Sequence, residues 1–513
     1  MDFTTITRII EFSAALFLFV LGLAVLALVT LYILDVTQTK HAVRRNFPVI
    51  GRMRYLLEDL GEFLRQYFFA QDREEMPFNR AERSYVYRAA KDLDTTLAFG
   101  STRDLRPTGT ILFANAAYPP LDQDAAPTRV LEIGPYARHP YCPQSLFNIS
   151  GMSYGAISRP AALALSNGAR KAGIWLNTGE GGLAPYHLEG GCDIVFQIGT
   201  AKYGVRDEHG GLSDEKLRQV VGHPQVKMVE IKLSQGAKPG KGGILPGIKV
   251  TAEIAQIRGI PQGKDSISPN RHPEIDSAGD LLDMIAHVRD VTGKPTGFKA
   301  VIGGYDWLED LMVEIGRRGI ESAPDFITID SGDGGTGAAP MSLMDYVGLP
   351  IKETLPRVAD IIDRAGLHGR TRIIASGKLI TPAEATWAIC AGADFVQSAR
   401  GFMFALGCIQ ALQCNRNTCP TGVTTHDPRL QKGLDPVDKA ERVARYAKHM
   451  HHEIGIIAHS CGVREPRQLQ RHHCRIVCAD GRTNGMHELY PPVTAPHRAM
   501  TTSPATGSLA ADA

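Results

Sequence analysis

The chain has 513 residues, of which 43% are hydrophobic and 21% charged, and a formal net charge of +2. That balance suits a large globular body with a sizeable core, and its near neutrality gives no sign of a nucleic-acid binder or a basic tail. Nine cysteines over this length do not make a disulfide framework; three of them cluster, which favours metal or redox chemistry in a reducing compartment.

Phe12 to Leu34 reads FSAALFLFVLGLAVLALVTLYIL and carries no charge in 23 positions. At 1.5 Å per residue it reaches about 34 Å, enough for a hydrocarbon core of roughly 30 Å. The run exceeds the core of a cleaved signal peptide and no small-residue cleavage site ends it. A buried soluble helix is rarely apolar all round at this length. The reading is a spanning helix over residues 12–34. Only Arg8 precedes it as a cation, whereas Lys40, Arg44, Arg45, Arg52 and Arg54 follow with no acid from Val36 to Tyr55. The positive-inside rule then predicts a single-pass protein with its catalytic body in the cytoplasm.

Residues 1–45 form the anchor and its basic flank, and 46–130 read as a mostly helical adaptor. RYLLEDLGEFLRQYFF has apolar residues at helical spacing, and Pro119, Pro120 and Pro127 break up the adaptor's end. From Arg129 short apolar runs alternate with helical patterns. The strand candidates are SLFNISGMS, KMVEIKL, PTGFKAVIGG, DFITIDSG, TRIIASGK and ADFVQSA; helix candidates such as SAGDLLDMIAHVRDV, WLEDLMVEIGRRG and PAEATWAICAG lie between them. Near-continuous apolar strands separated by amphipathic helices imply a parallel sheet covered on both faces. A (β/α)8 barrel and an open doubly wound sheet both fit. Glycine, lysine and acidic residues follow many different strand candidates, as a barrel's active site requires, whereas an open sheet gathers its ligand at one switch point. The barrel is therefore expected over 131–430, with a helical extension over 431–491 and a disordered Ala/Thr/Ser/Pro-rich tail over 492–513.

Several motifs carry candidate chemistry. ISGMSYGAIS places Met152 and Ser153 at a strand end, and NTGEGG sets Glu180 between glycines, as a substrate contact or an exposed turn residue. In EIKLSQGAKPGKGGILPGIKV, Lys232 closes a strand and Lys238 sits in a glycine-rich loop suited to covering a ligand. Solvated lysines are the plainer reading. SGDGGTGAAP with Gly334 and Gly335, then Gly377 and Lys378 after TRIIA, then Ser398 to Gly401 after ADFVQ, are turns at late strand ends. Two such turns in succession suit a phosphate-bearing cofactor. GCIQALQCNRNTCPTGV spaces Cys408, Cys414 and Cys419 as C-x5-C-x4-C. Thiolates suit iron–sulfur clusters or zinc, but zinc sites usually show paired elements and four ligands. Spacing alone leaves a three-ligand cluster and three small buried side chains as alternatives.

Together ISGMSYGAIS, NTGEGG, VKMVEIKLSQGAKPGKGG, LPGIKV, SGDGGTGAAP and CNRNTCPTGV resemble the synthase domain of glutamate synthases over roughly residues 140–430. The anchor and adaptor resemble those of standalone FMN-binding glutamate synthase family proteins. The resemblance implies a (β/α)8 barrel with FMN at its carboxyl face and a 3Fe–4S cluster on Cys408, Cys414 and Cys419. It implies that Met152, Ser153, Gln197, Lys232 and Lys299 face the flavin, and that Gly377, Lys378, Ala399 and Arg400 surround its phosphate. Lys238, Glu180 and Arg258 fall where the family handles 2-oxoglutarate and its imine, with Arg258 suited to a bidentate carboxylate grip. The implied partners are a keto acid, ammonia or an amine, and a ferredoxin-like protein electron donor, since no NAD(P)H-binding fingerprint is apparent.

Two departures fall on the substrate side. Ile244 stands where the family has glutamine, and Leu183 where it has a second acid; neither makes the lost hydrogen bonds. A membrane helix also stands where glutamate synthases begin with a glutaminase domain, which removes that source of ammonia. Rival readings are a related methylamine–glutamate methyltransferase-type or other amino-acid flavoenzyme, and a non-catalytic membrane-tethered flavin redox sensor.

Overall fold

The computed structural model describes residues 3–491, so the tail expected over 492–513 lies outside the described residues. The chain forms two compact units, Met1–Ala81 and Glu82–Ala513. The first holds helices α1 (Phe3–Thr37), α2 (Ala42–Asn46) and α3 (Gly51–Leu64), the last running into a π-helical turn, Arg65–Phe69. The most apolar window of α1 has a mean hydropathy of 2.8 and none of it is buried, so α1 is long and apolar enough to cross a membrane.

The second unit is built on a closed barrel of eight parallel strands in chain order, β1 to β8. They are β1 (Phe147–Ile149), β2 (Leu176–Asn177), β3 (Ile194–Ile198), β4 (Val226–Lys232), β5 (Thr296–Val301), β6 (Phe326–Asp330), β7 (Arg372–Ser376) and β8 (Phe395–Ser398). Six come from the strand candidates; β2 and β3 were not among them. Closure is visible in the register, where Ser398 of β8 pairs with Ile149 of β1. The connecting helices start and stop where their sequences dictate. Ser277 caps Ala278–Thr292 through its hydroxyl and Gly293 ends it at φ 67°. Thr381 and Glu384 form a reciprocal capping box on Pro382–Ala391.

Ile133 and Tyr141 pair antiparallel, and with Trp175, Met228, Phe326, Ile374 and Phe395 they make a buried apolar cluster around the strand starts. The helix Pro436–Ser460 packs along Arg159–Ala172. Gly168 permits the close approach, because a Cβ there would lie 2.5 Å from Val443.

A buried ion cluster ties the amino ends of the strands together. Asp325, fully buried before β6, accepts from Arg289 Nε at 2.8 Å, Thr296 N at 2.8 Å and Arg370 Nη1 at 2.9 Å. Asp325→Asn removes the charge facing two buried guanidinium groups, so unfolding free energy is expected to fall by about 3–5 kcal/mol. The check is the urea midpoint; an unchanged midpoint would mean that the cluster contributes nothing net.

Candidate active site at the carboxyl end of the barrel

The carboxyl ends of the strands converge on one cavity. Ser150, Gly151 and Ser153 enter it after β1, Gly179 and Glu180 after β2, and Gln197 from β3. Lys232 closes β4, Lys299 comes from β5 and Asp330 from β6, while Gly377 and Lys378 follow β7 and Ala399 and Arg400 follow β8. This is where a parallel barrel places chemistry, because the strand ends converge there while the loops stay free to vary.

Charges alternate around the mouth. Lys232 Nζ lies 2.7 Å from Glu180, and Lys299 Nζ lies 3.0 Å from Asp330, with Lys232 and Lys299 directly in register across β4 and β5. Burial pushes the Glu180 carboxyl up, but Lys232, then Lys238 and Arg258, outweigh it and hold the group below the usual carboxylate range. Burial likewise works against the Lys299 ammonium, and Asp330 and Glu230 overcome it.

Beneath the cavity floor, Glu230 is a buried hub. It accepts from Asn177 Nδ2 at 2.8 Å, Gln197 Nε2 at 2.6 Å and Thr328 Oγ1 at 2.6 Å. The carboxylate therefore fixes the rotamer of Gln197 at the site and places negative charge near Lys299. Glu230, Asn177 and Asp330 were not among the residues expected from sequence. For Glu230 and Asp330 the signal is a carboxylate inside the runs MVEIK and FITID; Asn177, in NTGEGG, carries none.

At the far end Lys378 pairs with Asp333 at 2.9 Å. Gly377 has φ 107°, and a Cβ there would sit 2.5 Å from that of Ser331, so only glycine turns the chain at this point. Gly335 admits Arg400, whose Nε would lie 2.7 Å from an added Cβ. Gly334 lines neither this cavity nor its neighbour and serves the turn, donating to Ser331 O at 2.9 Å.

An adjoining cavity shares Ser153, Glu180, Gly335, Ala399 and Arg400 and adds Met152, Lys238, Ile244, Arg258 and Cys414. Two of its lining residues carry buried polar atoms without a partner among the described residues: Arg258 Nε and Ser268 Oγ. Arg258 donates from Nη1 to Ser266 Oγ at 3.1 Å and from Nη2 to Tyr154 O at 3.2 Å. Its terminal fork is thus partly committed to the protein. Ile244 faces this cavity beside Leu245, Ile157 and Met152, whereas Leu183 lines neither cavity.

The cysteine loop lies next to this second cavity. Cys414 Sγ is 4.0 Å from Arg400 Nη1, and the buried Lys249 donates to Cys414 O at 3.2 Å and Ala156 O at 2.8 Å. Burial pushes the Cys408 thiol up to about 11, and Cys414 and Cys419 are close enough to contribute. For Cys419 burial acts upward but hydrogen bonds at Thr421 and Thr424 bring the thiol down. Among the described residues no three Cys, His, Asp or Glu side chains converge tightly enough to hold a metal ion. The three thiols are neighbours in a cationic surrounding and do not form a closed ligand set.

The family profile described as "Conserved region in glutamate synthase" matches residues 130–464. The chain belongs to this glutamate synthase family. Its relatives include the glutamate synthase large subunit-like protein YerD of Bacillus subtilis (strain 168), 39% identical over 501 residues, covering 90% of this chain and 95% of that one. The archaeal glutamate synthase [NADPH] of Methanocaldococcus jannaschii is 34% identical over 339 residues, covering 64% of this chain. Glutamate synthase kinship thus extends over nearly the full length of the Bacillus protein, but over only 61% of the archaeal one.

Proposed function

We propose that this glutamate synthase family member is a flavin-dependent oxidoreductase that reduces an imine, formed from 2-oxoglutarate and ammonia, to L-glutamate. The observation that carries the reading is the joined pair of cavities, one a cation-lined cleft ending in a glycine turn, the other holding Lys238 and unpartnered polar atoms. The first fits FMN. Gln197, Lys232 and Lys299 would hold its ring, with Met152 and Ser153 beside them, and Gly377, Lys378, Ala399 and Arg400 its phosphate. When bound, FMN supplies hydride chemistry.

The chain's own residues bind and orient the acceptor. Arg258 Nε and Ser268 Oγ have no protein partner to lose to a carboxylate. The Lys238 ammonium, buried and held at about 8 first by desolvation, is able to donate a proton to the acceptor nitrogen near neutral pH. Glu180 holds Lys232 against the flavin side and adds negative charge beside an iminium.

The donor chemistry at Cys408, Cys414 and Cys419 suits an iron–sulfur cluster of the 3Fe–4S type, which supplies one-electron transfer when bound. A ferredoxin-like protein is the electron donor in this reading. Helix α1 is the membrane anchor, with the second unit on the cytoplasmic side. Resistance to alkaline carbonate extraction checks the anchor; release into the soluble fraction would remove it.

The test of the chemistry is anaerobic flavin spectroscopy of the solubilised protein. Bound flavin that is photoreduced and then reoxidised by 2-oxoglutarate with ammonium is the expected result. Absence of flavin would overturn the assignment, and flavin that stays reduced would overturn the substrate. A second reading keeps the cofactors and changes the amine. Ile244 favours it, because an apolar side chain in the acceptor cavity suits an alkylated nitrogen, and reoxidation by 2-oxoglutarate with methylammonium but not ammonium would select it.

A further inference from the structure

We propose that α3 is a second membrane element, an interfacial helix lying on anionic lipid where α1 leaves the bilayer. The proposal rests on the anchor reading of α1. Met53, Leu57, Leu60 and Leu64 of α3, with Ile50 immediately before its first residue, recur at three- and four-residue spacing and are all exposed, from 74% at Ile50 to 37% at Leu64. Residues so spaced share one helix face. The π-helical turn prolongs the apolar surface with Phe68 and Phe69, each more than 70% exposed. Glu58 and Asp59 fall on the opposite side of the helix and are exposed as well.

Two observations identify lipid as what covers this stripe. First, it is held to the end of α1 by a built corner. Asp35, in the last turn of α1 and 1% exposed, accepts from Arg52 Nη2 at 2.8 Å, Arg52 Nε at 2.9 Å and Val49 N at 3.0 Å. Val49 takes φ 66° to make the turn, an uncommon conformation for a β-branched residue. The first turn of α3 therefore begins at the level where the apolar surface of α1 ends, and one uncovered apolar face continues into the other.

Second, the charge is complementary to anionic headgroups. Lys40, Arg45, Arg54 and Arg65 are exposed around the stripe, and no acid occurs from Val36 to Leu57. An amphipathic helix flanked by cations binds at the headgroup boundary through apolar burial plus attraction to anionic lipid. A protein partner or a second copy would need no such excess of cations beside a membrane exit.

The experiment uses the full-length protein in nanodiscs containing phospholipids brominated on their acyl chains. Leu57→Trp and Ile50→Trp report the stripe, Asp59→Trp reports the opposite face, and the wild type corrects for its three native tryptophans. Quenching at Leu57→Trp and Ile50→Trp at least twice that at Asp59→Trp is expected, rising when anionic lipid replaces zwitterionic lipid. Equal quenching on both faces, or none on the stripe in discs holding one copy, would overturn the proposal. Carbonate extraction run in parallel separates the causes: a retained anchor with an unquenched stripe sinks only this inference, and a released protein sinks the anchor itself.

Discussion

Lys232→Met is expected to reduce turnover by 100-fold or more and to destabilise the fold, and the two losses should separate in a double mutant. Lys232 is buried, and its Nζ lies 2.7 Å from a Glu180 carboxylate whose side chain is 13% exposed. Removing one partner of a buried pair leaves the other charge stranded, at a cost of about 3–5 kcal/mol. Glu180→Gln in the same chain removes the stranded charge, so Lys232→Met/Glu180→Gln should recover most of that stability. Turnover should not return, because the cation proposed to face the flavin is still missing and such a group contributes about 3–4 kcal/mol where charge develops. Urea midpoints and single-turnover rates for the four proteins of the cycle give the coupling directly. A double mutant as unstable as Lys232→Met would show that the loss comes from packing, and full turnover in either lysine variant would remove Lys232 from the chemistry.

Much of this site was legible because barrel chemistry sits at strand ends, and strand ends can be read as an apolar run followed by a polar or glycine residue. Lys232 after MVEI, Lys378 after RIIASG and Arg400 after FVQSA were found that way, and all three line the first cavity. What escaped were features that exist only once the barrel closes. β2 is two residues long, too short to show any periodicity, and it is a strand because β1 and β3 pair on either side of it. The Glu230 hub joins groups from β2, β3, β4 and β6, which nothing local in the chain connects.

The substrate side is where sequence comparison and geometry part. Ile244 and Leu183 both depart from the family pattern, yet only Ile244 lines one of the two cavities; Leu183 is one residue past the turn, its backbone beside Gly204. A motif compares residues along the chain, whereas a ligand meets only those whose side chains point inward. The three cysteines show the same limit from the other direction. Their spacing left a cluster and a buried trio open, and the fold places them as neighbours beside Arg400 and Lys249 without bringing them to one ligating point. Iron and sulfide content of the purified protein, with Cys414→Ser as comparison, decides between those alternatives.

The remaining large effect is on pH. Turnover is expected to be level up to about pH 8 and to fall about tenfold per unit above it. The group proposed to set this limb is Lys238, which burial first, and then the like charge of Lys232, brings down from 10.5 to about 8 against the attraction of Glu180. Its folded pKa lies below its unfolded one, so between about pH 8 and 10.5 the unfolded chain binds more protons and stability rises with pH. Below pH 8 the full cost of the buried ammonium is present, about 3 kcal/mol for a shift of this size. Stability and activity therefore run in opposite directions across the same window. Lys238→Met should stabilise the protein at pH 7 and lose turnover at every pH. Lys238→Arg, charged throughout, should flatten the alkaline limb at a lower plateau. A limb that persists unchanged in Lys238→Arg would assign it to another group, Lys249 first, whose buried ammonium also sits at about 8 but which lines neither cavity. A buried cation that costs stability at neutral pH is accounted for, under the proposed function, by the proton it would hold for the acceptor.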